Sequence, residues 1–97
     1  MNIDYRFVGW YHDNRNRHDK VWGVINLPNH TYLTFWGRRG KKLQTNIRAE
    51  LTRAINKLIF AKEDKGYLSI TPDKLEEVYP EFQTDLEKTI AWAILIK

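Results

Sequence analysis

The sequence of 97 residues contains no cysteine, so disulfide bonds and thiolate metal sites are excluded. It also lacks any apolar run near the ~18 residues that a membrane-spanning helix requires. The N-terminal residues MNIDYRF do not contain the uninterrupted apolar core of a signal peptide. These absences are compatible with a reducing compartment, and we expect a cytoplasmic protein that has no contact with membranes.

Motifs of catalysis are missing as well. The chain has no nucleophile motif, no phosphate-binding loop and no dinucleotide-binding glycine pattern. Its three histidines, His12, His18 and His30, fall in or beside predicted loops, where no regular element fixes a coordination geometry. We therefore expect no enzyme activity, no metal site, no cofactor and no small-molecule substrate.

What the chain does contain is apolar and basic. Apolar residues make up 42% of the sequence and aromatic residues 13%, which suffices for one modest core and predicts a single domain over residues 1–97. The net charge is +4, with nine Lys or Arg against three acids in residues 1–48 and seven against nine in residues 49–97. Such polarity is typical of a surface that attracts a polyanion, although a basic surface without any function remains the alternative.

The first half of the chain predicts strands. Residues 5–11 are rich in β-forming residues, whereas residues 12–20 are polar throughout and predict a loop. Residues 21–27 and 31–38 predict the two arms of an antiparallel hairpin. Pro28 is expected to preset the first φ of a type I or II turn between them.

The second half predicts helices. An apolar stripe at helical spacing predicts a main amphipathic helix over residues 47–65, with Thr45 or Asn46 as its N-cap and Gly66 as its stop. The stripe comprises Ile47, Leu51, Ile55, Leu58 and Ile59.

After a short extended piece at residues 67–70, Thr71-Pro72 predicts the start of a second helix that ends at Tyr79-Pro80. Thr84 fits a capping box that opens a last helix through about Ile96. The apolar residues 91–97 are also compatible with a buried strand, and we favour the helix. The predicted fold class is thus α+β: a small antiparallel sheet with a central hairpin, one main amphipathic helix packed across it, and a C-terminal helical or strand extension.

Aromatic and basic residues are concentrated in residues 32–42, YLTFWGRRGKK. Because side chains alternate along a strand, Trp36 and Arg38 should point to the same side. A flat ring beside clustered cations suits an anionic partner that can stack. The alternative is that Trp36 belongs to the core, although the neighbouring Arg38 argues against it. Four cations follow one another closely around Gly40: Arg38, Arg39, Lys41 and Lys42.

These residues resemble the WGR domain, a small module of poly(ADP-ribose) polymerases and bacterial proteins. The motif stands here as Trp36-Gly37-Arg38, preceded by an Asn/Arg-rich loop and a strand that starts near Lys20. A helix ending near Lys62 and the pair Gly66-Tyr67 are similar to later parts of the family pattern, as is Tyr79-Pro80. The resemblance covers about residues 5–80 and leaves residues 81–97 as an extension.

The resemblance implies a central antiparallel sheet with a helix across it, and a motif Trp and Arg that lie at DNA or at a neighbouring domain. It departs from the family at residues 41–44, where Lys41-Lys42-Leu43-Gln44 stands in place of a second glycine. We therefore expect a stand-alone nucleic-acid-binding module that contacts duplex DNA or DNA ends. The alternative is a protein-interaction module, an adaptor or inhibitor that uses the same basic surface against an acidic protein partner. The candidate binding residues are Trp36, Gly37, Arg38, Arg39, Lys41, Lys42, Arg15, Arg17 and Lys20.

Overall fold

The computed structural model describes residues 3–95 and shows a five-stranded antiparallel sheet with helices against both of its faces. The α+β class predicted from the sequence is confirmed. The strands are β1 (Tyr5–Asp13), β2 (His18–Leu27), β3 (Thr31–Arg38), β4 (Gln44–Ala49) and β5 (Leu68–Ser69), in the spatial order β4-β3-β2-β1-β5. The helices are α1 (Thr52–Asp64), α2 (Pro72–Val78) and α3 (Phe82–Leu95).

The polar loop predicted over residues 12–20 is much shorter than expected. His12 pairs with Asp19 and Asp13 with His18, so β1 and β2 continue as a hairpin and only residues 14–17 form the turn. Each of these residues pairs its backbone with the opposite strand, whatever its side chain is. Polar side chains are tolerated there because no helix covers this end of the two strands.

The hairpin of β2 and β3 was predicted correctly, with Leu27 opposite Thr31. Residues 28–30 form its turn, in which Asn29 and His30 have positive φ, at 62° and 55°. A positive φ at Asn29 agrees with the third position of a type II turn that has Pro28 second. His30 adds another left-handed residue before β3 begins.

The predicted start of the main helix is wrong. Residues 44–49 form β4, in which Ile47 lies opposite Leu33 of β3, and α1 begins only at Thr52. Leu51, and neither Thr45 nor Asn46, occupies the N-cap, and 64% of its surface is exposed. The helical spacing of Ile47 and Leu51 is a coincidence. β4 has only six residues, so its strand alternation is a weaker pattern than the helical periodicity that follows it.

Side-chain alternation divides the core into two clusters, one on each face of the sheet. The face under α1, here called the α1 face, buries Phe7, Trp22, Val24 and Tyr32 with Ile55 and Ile59 of the helix. The opposite face buries Val8, Val21, Ile25, Leu33 and Phe35 against α2, α3 and the segment before β4, which contribute Leu43, Leu75, Tyr79, Phe82, Leu86 and Ile90. One predicted helix across the sheet is therefore accompanied by two helices behind it.

The C-terminal elements largely follow the prediction. Thr71 caps α2, with its hydroxyl accepting a hydrogen bond from the Lys74 backbone at 3.2 Å, and the helix ends before Tyr79. The last element is a helix, as we favoured, but it starts at Phe82 and not at Thr84, because burying Phe82 fixes an earlier first turn. Ile96, its predicted end, lies outside the described residues. Within residues 3–95, no helix is both long and apolar enough to cross a membrane.

Candidate functional site

A groove crosses the α1 face where the C-terminal end of α1 leaves the sheet uncovered. It consists of a hollow of about 380 Å³ and a second hollow of about 320 Å³ that share Lys20, Lys62 and Tyr67. We call the two hollows together the aromatic groove. Its rings are Tyr11, Trp22, Trp36 and Tyr67, and its cations are Lys20, Arg48, Lys62 and Lys65.

The hairpin register brings the first of these residues together. Trp36 lies directly opposite Trp22, and Arg38 lies opposite Lys20, so all four point to the α1 face. The prediction that Trp36 and Arg38 share one side is confirmed. Trp22 is only 4% exposed and forms the floor, whereas the Trp36 ring is half-buried and lines the wall.

The end of α1 supplies the opposite wall. Gly66 has a φ of +110°, and the Tyr67 backbone donates to the Lys62 carbonyl at 3.1 Å, so the chain reverses immediately after the helix. A Cβ at Gly66 would stand 2.9 Å from Cε2 of Tyr11, which leaves room for glycine alone. The reversal seats the Tyr67 ring 5.5 Å from the Tyr11 ring.

The lysines of the groove lie against its rings. Lys62 Nζ is 5.4 Å from the centre of the Trp22 ring and 5.8 Å from that of Tyr67, while Lys20 Nζ is 5.9 Å from that of Tyr11. Burial, followed by the charges of Lys65 and Lys20, lowers the pKa of Lys62. These distances are those of cation–π contacts, which hold the ammonium groups beside flat apolar surfaces.

No aspartate or glutamate lines the groove among the described residues. Of its four cations in that part of the chain, Arg48 alone forms an ion pair, with Glu50 at 3.8 Å. The groove therefore presents concentrated positive charge next to aromatic rings. This combination favours an anion that also carries a flat or apolar group.

The other basic residues predicted for the site lie around one end of the groove or away from it. Arg38 is exposed, and its Nη2 donates to the Arg17 carbonyl at 3.2 Å. Arg15 and Arg17 are exposed in the β1–β2 turn. This places three further cations at the hairpin end, outside the groove itself.

Arg39 has a structural contact that the sequence did not reveal. Its Nε bonds the Asp19 carboxylate at 2.6 Å, and its Nη1 donates to the carbonyl of Val78 at the end of α2. Asp19 also accepts a hydrogen bond from Trp10 Nε1 at 2.7 Å. Arg39 thus ties β2 to α2, and its guanidinium is engaged within the protein.

Lys41 and Lys42 are separated from Trp36. After Gly40, whose φ is +80°, the chain crosses to the opposite face, where Leu43 is fully buried in the core under α3. Gly37 makes this crossing compact, because a Cβ there would stand 3.1 Å from the Leu43 side chain. The two lysines line a different cavity beside α3.

Sequence reasoning therefore placed Trp36 and Lys20 in one site but did not assign Tyr11, Arg48, Lys62, Lys65 or Tyr67 to it. Lys62 and Tyr67 carried part of the family resemblance, which was the one available signal for them. The described residues contain no group of His, Cys, Asp and Glu that could hold a metal ion. No protein-family model, curated protein or solved structure matches this chain, so the functional proposal rests on its residues and their geometry.

Proposed function

We propose that this protein is a nucleic-acid-binding module that contacts duplex DNA or DNA ends through the aromatic groove. One observation carries the proposal: the half-buried Trp36 ring shares a groove with Lys20 and Lys62, and no described carboxylate lines it. Lysines next to phosphates supply affinity that does not depend on sequence. An accessible ring adds contacts to a sugar or base.

The family resemblance supports the same site. Trp36 of the WGR motif, Lys62 at the end of the helix and Tyr67 of the Gly-Tyr pair are far apart in the sequence, yet all three line the aromatic groove. Arg38 lies on the same face at the groove's end. We therefore propose a WGR-like module whose contact surface extends from the motif to the end of α1.

The test is a titration of the whole chain with blunt, nicked, overhanging and single-stranded DNA, and with RNA, at two salt concentrations. We expect binding that weakens steeply as salt rises. Duplex DNA or its ends should bind more tightly than single-stranded DNA or RNA at both salt concentrations. Absence of binding to every nucleic acid, together with a stoichiometric acidic protein partner, would favour the alternative of a protein-interaction module that uses this surface.

A matched pair of variants on α1 assigns the site. Lys62→Ala removes a groove cation, whereas Lys57→Ala removes an exposed lysine of the same helix that does not line the groove. Lys62→Ala should lower the slope of log affinity against log salt by ~0.9 if one phosphate contact is lost. Lys57→Ala should leave it unchanged, and equal effects of the two changes would place the DNA elsewhere.

A further inference from the structure

A second cavity lies on the other face of the sheet, away from the aromatic groove. It has a volume of about 570 Å³ and is bounded by the turn that contains Lys41 and Lys42, by the start of β4, and by α3. We call it the α3 cavity. Leu43, Lys88 and Trp92 are among its lining residues.

One stripe of α3 forms the cavity wall. Asp85, Lys88, Thr89 and Trp92 all line the cavity, and their spacing of three, four and seven residues from Asp85 places them on one side of the helix. The neighbouring stripe of Phe82, Leu86 and Ile90 is buried against the sheet. Trp92 is 61% exposed, so its ring offers an apolar surface beside the lysines of the cavity.

The α3 cavity carries more positive than negative charge, because three lysines and one aspartate line it. In the described part of the chain, Lys41, Lys42 and Lys88 form no ion pair. The one carboxylate that lines the cavity, that of Asp85, already accepts a hydrogen bond from the Tyr79 hydroxyl at 2.7 Å. Burial, and then this hydrogen bond to Asp85, raise the pKa of Tyr79.

The cavity adjoins an open edge of the sheet. Within residues 3–95 the only strand next to β4 is β3, so the outer backbone groups of β4 have no partner strand. Gln44 and Thr45, the first residues of β4, line the cavity. An extended chain can hydrogen-bond to such an edge while its side chains enter adjacent pockets.

We propose that the α3 cavity and the outer edge of β4 bind an extended acidic segment of a partner protein. Carboxylates of the segment meet Lys41, Lys42 and Lys88, an apolar side chain covers Trp92, and the segment's backbone pairs with β4. A protein suits this surface better than a nucleic acid does. The exposed Trp92 offers an apolar surface to a side chain of the segment, and the unpaired N–H and C=O groups at the outer edge of β4 match a peptide backbone, which a nucleic acid does not have.

This surface is distinct from the aromatic groove, so the two can be tested together in one sample. The chain contains four tryptophans, and the indole N–H signals of Trp36 and Trp92 report the groove and the cavity separately. A library of displayed random ten-residue peptides is selected on the whole chain. The enriched peptides are then synthesised and added to protein labelled with nitrogen-15 at its tryptophans, in parallel with duplex DNA.

We expect the enriched peptides to carry a net negative charge and at least one aromatic or aliphatic residue. They should shift the Trp92 indole signal and leave that of Trp36 in place. Trp92→Ala and the double change Lys41→Glu with Lys42→Glu should each weaken peptide binding about tenfold or more, since an exposed aromatic anchor and its charge partners dominate such contacts. Trp36→Ala should not weaken it.

Several results would overturn the inference: enriched peptides without excess acid, a shift at Trp36 in place of Trp92, or peptide affinity that the cavity variants leave unchanged. A Trp92 shift that DNA produces and that Lys41→Glu with Lys42→Glu abolishes would make the cavity a nucleic-acid site. Failure of DNA to shift Trp36 would count against the proposed function alone, because the peptide result does not depend on it.

Discussion

Trp22 and Trp36 lie opposite each other on neighbouring strands, but Trp22 is buried and Trp36 is only half-buried. At the scale of single residues, we therefore expect Trp22 to contribute mainly to stability and Trp36 mainly to binding. Trp36→Ala should weaken DNA binding by ~1–3 kcal/mol, as loss of a stacking ring does, while lowering stability only modestly. Trp22→Ala is the matched control and should cost ~3–5 kcal/mol of folding free energy, because its ring is buried under Lys62. Thermal melts and DNA titrations of both variants make the measurement. A Trp36→Ala protein that folds and binds DNA as tightly as the wild type would contradict the groove assignment.

Asp19 gives a prediction about pH. Burial raises its pKa, but the hydrogen bonds from Trp10 and Arg39 and the charge of Arg39 lower the pKa by more, so it lies below the ordinary value of 3.8. A carboxyl group whose pKa is lower in the folded than in the unfolded state stabilises the fold above the unfolded pKa. That stabilisation is lost as pH falls through the folded value.

We therefore expect the wild type to be more stable than Asp19→Asn at pH 5 to 7, with the difference shrinking below about pH 4. Chemical unfolding at several pH values measures this difference, and contributions from other acids such as Asp13 cancel because both proteins contain them. A difference that stays constant down to about pH 2 would show that the Asp19 charge does not contribute.

At the scale of elements, the observed start of α1 changes what the apolar stripe predicts for Leu51, which is exposed and not buried. Ile55 is fully buried, so Ile55→Asp should unfold the domain by placing an unpaired carboxylate in the core. Leu51, by contrast, is the exposed N-cap and makes no side-chain cap, and the first turn of α1 contains no acid. Leu51→Asp should stabilise the protein by about 0.5–1 kcal/mol, because aspartate can accept a hydrogen bond from the first turn. Circular dichroism melts decide between these outcomes, and a destabilised Leu51→Asp protein would contradict the helix start at Thr52.

Local patterns in the sequence predicted the elements whose signals agree and missed the one whose signals conflict. β3 was predicted with its observed bounds because its β-forming residues end at a basic glycine turn. β4 was missed because Ile47 continues the helical stripe of α1, and only pairing with β3 assigns it to the sheet. The polar ends of β1 and β2 were predicted to be loop for a similar reason, because only their pairing with each other makes them strands.

The candidate site was predictable only in part for the same physical reason. Trp36 and Lys20 meet through hairpin register, which a local pattern can supply. Lys62 and Tyr67 arrive from the far end of α1, so their position depends on how the helix crosses the sheet. Nor does any local rule show that the chain crosses the sheet at Gly40 and carries Lys41 and Lys42 to the other face.

At the scale of the whole molecule, the fold places two basic surfaces on opposite faces of the sheet, although Trp36 of one and Lys41 of the other are close in the sequence. Lys20→Ala with Lys62→Ala alters the aromatic groove, whereas Lys41→Ala with Lys42→Ala alters the α3 cavity. Each pair removes two positive charges, so the effect on net charge is the same. We expect the groove pair to lower the slope of log DNA affinity against log salt by up to about 1.8, and the cavity pair to change it much less. Equal reductions by both pairs would mean that DNA is attracted by total charge and not by the groove.

The placement of the Lys62 amine between two aromatic rings also has a consequence for its chemistry as a nucleophile. Its lowered pKa leaves more of the amine neutral at pH 8 than in a fully hydrated lysine, and only the neutral amine attacks acylating reagents. Brief treatment with a small amine-reactive ester should therefore label Lys62 faster than the exposed Lys57 of the same helix, as peptide mass spectrometry would show. Saturating DNA should protect Lys62 while Lys57 continues to react. Labelling of the wild-type protein would then report whether DNA occupies the aromatic groove, without any substitution.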